Sequence, residues 1–317
     1  MHKIAIIIPY FGKFPEWIDL FLYSCSLNKK ITDNITIDWL IFTDCELPQK
    51  IYDNTIFIQM SFKDYCQHVM SCLHIDFSPK TAYKFCDLKP FYGLVHESML
   101  SNFTHWGFGD LDLCYGDLSL IINEERLRKY ELITTHADRI AGHFTIIKQD
   151  SIYSKLCLKI VDWQNKLNDE KVLGLDEMDL TYLVRREMVD YLRLYRYLGK
   201  PFRVGIYNFM KFPNIVHNWY SKAFIKEFYT SPLPKTGEQW VWDIKNNHIL
   251  NPWGKEIPYL HFLFFKKTPF WDTPNYWKSG FYCLPQDISI IKNGIVIFDN
   301  KSISYNTSVN FYRKIKC

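Results

Sequence analysis

The chain has 317 residues, enough for one large α/β domain or two smaller ones, and its 48% hydrophobic and 23% charged residues are ordinary for a globular protein. A net charge of +4 excludes the strong basic excess of a nucleic-acid binder, while suiting a small polyanion or a weak attraction to anionic lipid. Nine scattered cysteines with no CxxC pair give no zinc site and indicate a reducing compartment.

The opening MHKIAIIIPYF does not read as a signal peptide, because Pro9 ends a short apolar run and no small-residue cleavage site follows. No stretch is long and apolar enough to span a bilayer. The expected location is the cytoplasm, with weak peripheral contact at the inner face of the membrane. KIAIIIPYF reads as a strand buried on both faces, as in a parallel sheet. PEWIDLFLYSCSLN follows with helical spacing of Trp17, Leu20, Phe21 and Cys25. IDWLIFTD is a second buried strand, ending at Asp44, and NTIFIQMS a third. A helical stretch over residues 79 to 102 precedes a strand THWGFGDLDL. YELITTH and GHFTIIKQD read as strands, and residues 151 to 169 as a helix. LDEMDLTYLVRREMVDYLRLYRYLG reads as a helix stopped by Gly199, Lys200 and Pro201. Beyond residue 200 the pattern weakens into short strands, and the tail ISIIKNGIVIFDNKSISYNTSVNFY suits a small meander with NG and DN as turns. Alternation of strand and helix indicates an α/β layered fold, whose ligands bind outside the carboxyl ends of the strands. Asp44, Asp110 and Asp112 fall at such ends.

Asp110 and Asp112 lie two apart, so on an extended backbone they point to one side. Neighbouring carboxylates repel unless a cation sits near them. Mg²⁺ or Mn²⁺ would satisfy both and recruit a diphosphate. The competing reading is a turn in which one aspartate caps a helix, the role expected of Asp117.

The IIIPYF strand, the strand ending FTD, and Asp-x-Asp within GFGDLDLCYGDL together resemble the GT-A class of nucleotide-sugar glycosyltransferases, in a form similar to a bacterial polysaccharide branch. The resemblance covers about the first two-thirds of the chain. It implies a GT-A-like, Rossmann-type layered fold with a mainly parallel central sheet and a small β-rich C-terminal subdomain. In one continuous catalytic domain, residues 1–118 would bind the donor, residues 119–268 would form the acceptor side, and residues 269–317 a β-rich extension. It also implies that Asp110 faces the ribose or a metal-bound water, and that Asp112 coordinates the metal with His261 as a late further ligand. Asp44, Lys84, Asp87, Arg139 and Lys267 join Asp110 as expected donor contacts: Lys84 to phosphate, Asp87 to a sugar hydroxyl or ribose, Arg139 to diphosphate or sugar, Lys267 to the leaving diphosphate. Lys84 and Asp87 equally fit a salt-bridged surface turn. His136, Asp138, Arg139 and His143 around Gly142 also fit a polar loop, and His261 a core-edge histidine.

Asp176, Glu177 and Asp179 stand at a helix start, which favours carboxylates on electrostatic grounds alone. The resemblance implies a base for the acceptor hydroxyl at this point, and Glu177 and Asp179 are the candidates. The late tryptophans, Trp240, Trp242, Trp253, Trp271 and Trp277, suit sugar stacking or plain packing. The expected function is metal-dependent transfer of a sugar, from a nucleotide diphosphate donor with UDP as the expected nucleotide, to a glycan or lipid-linked saccharide in surface polysaccharide synthesis. The alternatives are an Asp-x-Asp phosphatase, whose motif usually lies nearer the N-terminus, and a non-catalytic carbohydrate-binding protein.

Overall fold

The computed structural model describes residues 1–15, 17–136, 139–184, 230–231, 238–263, 291–298 and 303–307. Its centre is β1 (His2–Pro9), buried from Ile4 to Ile8. Parallel to it on one side runs β3 (Ile35–Thr43), in register along all eight residues of β1. Beyond β3 the first half of its edge is covered by the short antiparallel β2 (Lys30–Thr32), and the second half by the parallel β4 (Thr55–Gln59). On the other side of β1 lies the parallel β5 (His105–Gly109). The chain continues through β6 (Leu113–Tyr115) to β7 (Leu132–Thr134) and β8 (Phe144–Lys148). β8 is antiparallel to β5, and β7 closes the edge against β8. The result is a seven-stranded mixed sheet with a parallel centre.

Alternation on β1 sorts the core. Ala5 and Ile7 face one layer with Phe42, Trp106 and Phe108, while Ile4, Ile6 and Ile8 face the other with Ile37, Trp39 and Ile41. The expected helix after β1 is α1 (Ile18–Ser26), with Leu20, Phe21 and Cys25 buried. The opposite face carries α2 (Phe62–Leu73), which the periodicity reading passed over. Its start is fixed by Ser61, whose side chain accepts from the Asp64 amide at 3.1 Å, and its end by His74 in the left-handed region.

Four expectations are corrected. Residues 82 to 95 form a chain of short helical turns, because Pro90 cannot continue a helical ladder. Residues 151 to 169 divide into a 3₁₀ helix, Ile152–Lys159, and a short α-helix, Trp163–Asn168, separated at Asp162, whose φ is 58°. The strand expected over THWGFGDLDL stops at Gly109, so Asp110 and Asp112 sit in a bend between β5 and β6 rather than on an extended strand. The NG expected as a turn lies inside a strand: Gly294 has φ 68°, and the register shifts there.

The late chain builds two further sheets. β9 (Trp240–Asp243), β10 (His248–Leu250), β11 (Glu256–Ile257), β13 (Ile291–Phe298) and β14 (Ile303–Thr307) form a five-stranded antiparallel sheet. Since β9 pairs with β13, the division expected at residue 268 falls between strands of one sheet. β12 (Tyr259–His261) leaves that sheet to pair with β6. Among the described residues, no helix is long and apolar enough to cross a membrane.

Candidate functional site

β1 and β5 are parallel neighbours, so their carboxyl ends open at one edge of the sheet. Three segments enclose a cavity of about 370 Å³ there: Ile8 to Trp17 after β1, Ala82 to Tyr92, and the bend Gly109 to Asp112. Aromatic side chains supply much of the wall, among them Tyr10, Phe11, Tyr83 and Tyr92. The Trp17 indole donates to the Leu111 carbonyl at 2.7 Å and so ties the first segment to the bend.

The charged floor centres on Lys89. Its ammonium donates to Asp110 Oδ1 at 2.7 Å and to the Gly142 carbonyl at 2.9 Å, and stands 3.8 Å from Asp176 Oδ2. Burial works against the charge of Lys89, but Asp110 and Asp176 outweigh it and hold its pKa well above the usual lysine value. Asp176 is also buried, and burial pushes its pKa up to about 7; the Glu177 and Asp110 charges add to the rise, and Lys89 opposes it. Lys89 and Asp176 were not among the sequence candidates. Lys89 is visible in KFCDLKP, but only the fold shows which of its two lysines meets the Asp-x-Asp bend.

Asp112 and His261 come together in the structure. The β6–β12 register sets His261 opposite Leu113, and the Phe262 amide donates to the Asp112 carbonyl at 2.9 Å. His261 Nε2 is then 3.4 Å from Asp112 Oδ2, and both side chains are buried. The His143 ring stacks on His261 with centroids 4.1 Å apart.

The remaining candidates divide. Lys84 and Asp87 face each other instead of the cavity: Lys84 Nζ donates to Asp87 Oδ2 at 2.8 Å and to the carbonyls of Lys166 and Lys171. Asp87 also accepts from the amides of Leu173, Gly174 and Leu175 at 2.7–3.0 Å. Both are buried, so this is neither a donor contact nor a surface turn but a clamp on the loop that delivers Asp176. Asp44 is exposed and accepts from the Gly12 amide at 2.7 Å, fixing the loop after β1 from outside the cavity.

Arg139 is 3.5 Å from Glu177 Oε2 and 3.3 Å from His136 Nε2. Glu177 Oε1 in turn accepts from the amide of Gly142 at 3.3 Å, the residue whose carbonyl holds Lys89. Asp179 points elsewhere, to Lys166 Nζ at 2.7 Å. Asp117 caps the following turn, accepting from the Ser119 amide at 2.8 Å, as expected. Trp240 and Trp242 are buried in the five-stranded sheet, whereas Trp253 is half exposed. Asp138, Lys267, Trp271 and Trp277 lie outside the described residues.

The donor set suits a hard divalent cation. Asp112 supplies carboxylate oxygens and His261 a ring nitrogen, while Asp110 is already neutralised by Lys89. Asp117, His248 and Glu256 form a separate cluster with ligand atoms within 4.8 Å of one another. Asp117 is engaged there by both the amide and the hydroxyl of Ser119. No curated protein matches the chain. Residues 6–262, a span that holds the whole of this site, match the family of unknown function DUF6625, and the chain belongs to that family.

Proposed function

We propose that the protein is a metal-dependent glycosyltransferase of the GT-A class, moving a sugar from a nucleotide diphosphate to a glycan or lipid-linked saccharide. One observation carries the reading: the β6–β12 pairing delivers His261 to Asp112 beside a cavity at the carboxyl ends of β1 and β5. The parallel centre of the sheet and the Asp-x-Asp bend after its fourth parallel strand support it further. Bound by Asp112 and His261, Mg²⁺ or Mn²⁺ would offset the charge growing on the leaving diphosphate.

The chain's own groups divide the rest of the work. The aromatic wall of Tyr10, Phe11 and Tyr83 offers flat faces to a base or sugar ring. Lys89, fixed at three points, presents a positive charge at the cavity floor and holds Asp110 in place. Glu177, 40% exposed and bonded to the Gly142 amide, is the carboxylate able to accept a proton from an acceptor hydroxyl.

The test is hydrolysis of a panel of nucleotide sugars, and calorimetric binding of nucleoside diphosphates, each with and without Mn²⁺. Metal-dependent binding that Asp112→Asn abolishes is the expected result. Stabilisation by free glycans with no response to nucleotide and Mn²⁺ would replace the transferase reading with that of a carbohydrate-binding protein.

A further inference from the structure

We propose that His143 is a positioning residue that fixes the His261 ring in its orientation toward Asp112. The inference rests on the reading of Asp112 and His261 as a metal-binding pair, but its first test does not need the metal.

His143 is buried and held on three sides. Its ring lies against that of His261, with centroids 4.1 Å apart and an interplanar angle of 28°. Its Nε2 is 2.8 Å from the Tyr259 hydroxyl and 3.4 Å from Thr135 Oγ1. Tyr259 and His261 are two apart on β12, so they project from the same face of that strand. His143 therefore bonds to one of them while stacking on the other. Its backbone reaches the other half of the site: the His143 carbonyl accepts from the Asp110 amide at 3.2 Å. One residue thus joins the Asp-x-Asp bend to the strand that carries His261.

Imidazole χ2 is broad, so the backbone alone does not fix the ring plane. The stack does, and the ring plane decides whether His261 Nε2 points at Asp112, 3.4 Å away. Such outer partners commonly change metal affinity by about ten- to a hundredfold when lost, without touching the metal.

The experiment uses full-length protein with ¹⁵N-labelled histidine and long-range ¹H–¹⁵N spectra of the rings, the His261 signals being assigned with His261→Ala. The parent should give one sharp set of His261 ring signals. His143→Phe, which keeps a flat ring, should preserve that set. His143→Leu should broaden or double it while the melting curve stays cooperative. Titration with Mn²⁺ alone should show at least tenfold weaker binding in the Leu variant and near-parent binding in the Phe variant. If His143→Leu does not fold, His143→Gln keeps a hydrogen-bonding group for Tyr259 but removes the stack, and is read the same way. Unchanged His261 signals in a folded Leu or Gln variant would overturn the proposal. Signals that depend on His143 in a protein that binds no Mn²⁺ would support the positioning role and remove the metal reading alone.

Discussion

A Cβ placed on Gly142 would lie 2.5 Å from Asp176 Oδ2 and 3.3 Å from Glu177 Oε1. The missing side chain is what lets the π-helical turn Leu175–Leu180 approach the start of β8, so that Gly142 binds Lys89 through its carbonyl and Glu177 through its amide. Gly142→Ala should push Asp176 off Lys89 and cost about 1–3 kcal/mol, the usual range for overpacking a buried contact. Urea unfolding measures the loss. Asp176→Ala in the same chain should recover much of it, because the clash needs both side chains. Additive losses in the double variant would show that the close approach is not the cause.

Asp176 gives the protein a specific pH response. Its folded pKa is about 7, raised first by burial, whereas an unfolded aspartate titrates near 4. Below about pH 4 both states hold the proton, and the stability of the folded form is fully present. Between about 4 and 7 the folded chain keeps a proton that the unfolded chain has released, so stability falls as pH rises. Asp176→Asn cannot lose a proton and should escape this fall. Its unfolding free energy, relative to the parent, should rise from pH 4 to pH 8 by a few kcal/mol at most, at about 1.4 kcal/mol per unit. Denaturant unfolding at the two pH values gives the difference. An equal difference at both would place the folded pKa near its ordinary value.

Lys84 and Lys89 are five residues apart, and both are buried. They should nonetheless behave differently. Lys84 binds Asp87 and two carbonyls away from the cavity, so Lys84→Met leaves a buried carboxylate without its ion partner. Loss of one member of such a pair costs about 3–5 kcal/mol. Under the proposed function, nucleotide affinity of the fraction that remains folded should stay near the parent value. Lys89→Met also leaves buried Asp176 without its ion partner, but should in addition weaken nucleotide binding, since Lys89 lines the cavity. Thermal melts and binding titrations on both variants separate the two roles. Equal loss of affinity would return Lys84 to the donor site.

The parts of this arrangement that the sequence displays are those decided locally. β1, β3 and β5 are apolar on both faces and could only be central strands. Asp112 and His261 were singled out because each follows an apolar run, and the β6–β12 pairing brings the two together. α2 was harder, because its apolar face is narrow: Tyr65, Cys66, Val69 and Leu73 are its buried residues, among charged and polar neighbours. The roles of Lys84, Asp87, Lys89 and Asp176 were not legible. The Lys84–Asp87 ion pair is local, but the backbone partners of Asp87 lie 86 to 88 residues away, and Lys89 reaches Gly142 across 53. Both lysines fall in the stretch expected as one helix over residues 79 to 102, but the chain there is broken into short turns, and the two ammonium groups reach different loops.

Glu177 and Asp179, two residues apart on one turn, were equal candidates for the base, and their surroundings now separate them. Asp179 is ion-paired to Lys166 at 2.7 Å, and the two side chains are 27% and 30% exposed. Glu177 lies over Gly142, beside Arg139, next to the residues that hold Lys89. A base needs an accessible carboxylate, and of the two Glu177 is the more exposed and the one bonded to Gly142, which also holds Lys89. Under the proposed reaction, Glu177→Gln should lower transfer by about two to four orders of magnitude while nucleotide affinity holds, because the proton moves only in the transition state. Asp179→Asn should retain most activity and cost under about 1 kcal/mol, the range for a partly exposed ion pair. Product formation from the donor identified by the hydrolysis panel, measured beside nucleotide binding, tests both. Full activity in Glu177→Gln would mean that Glu177 takes no proton, and would move the search to Asp176, the buried neighbour whose pKa burial pushes up to about 7.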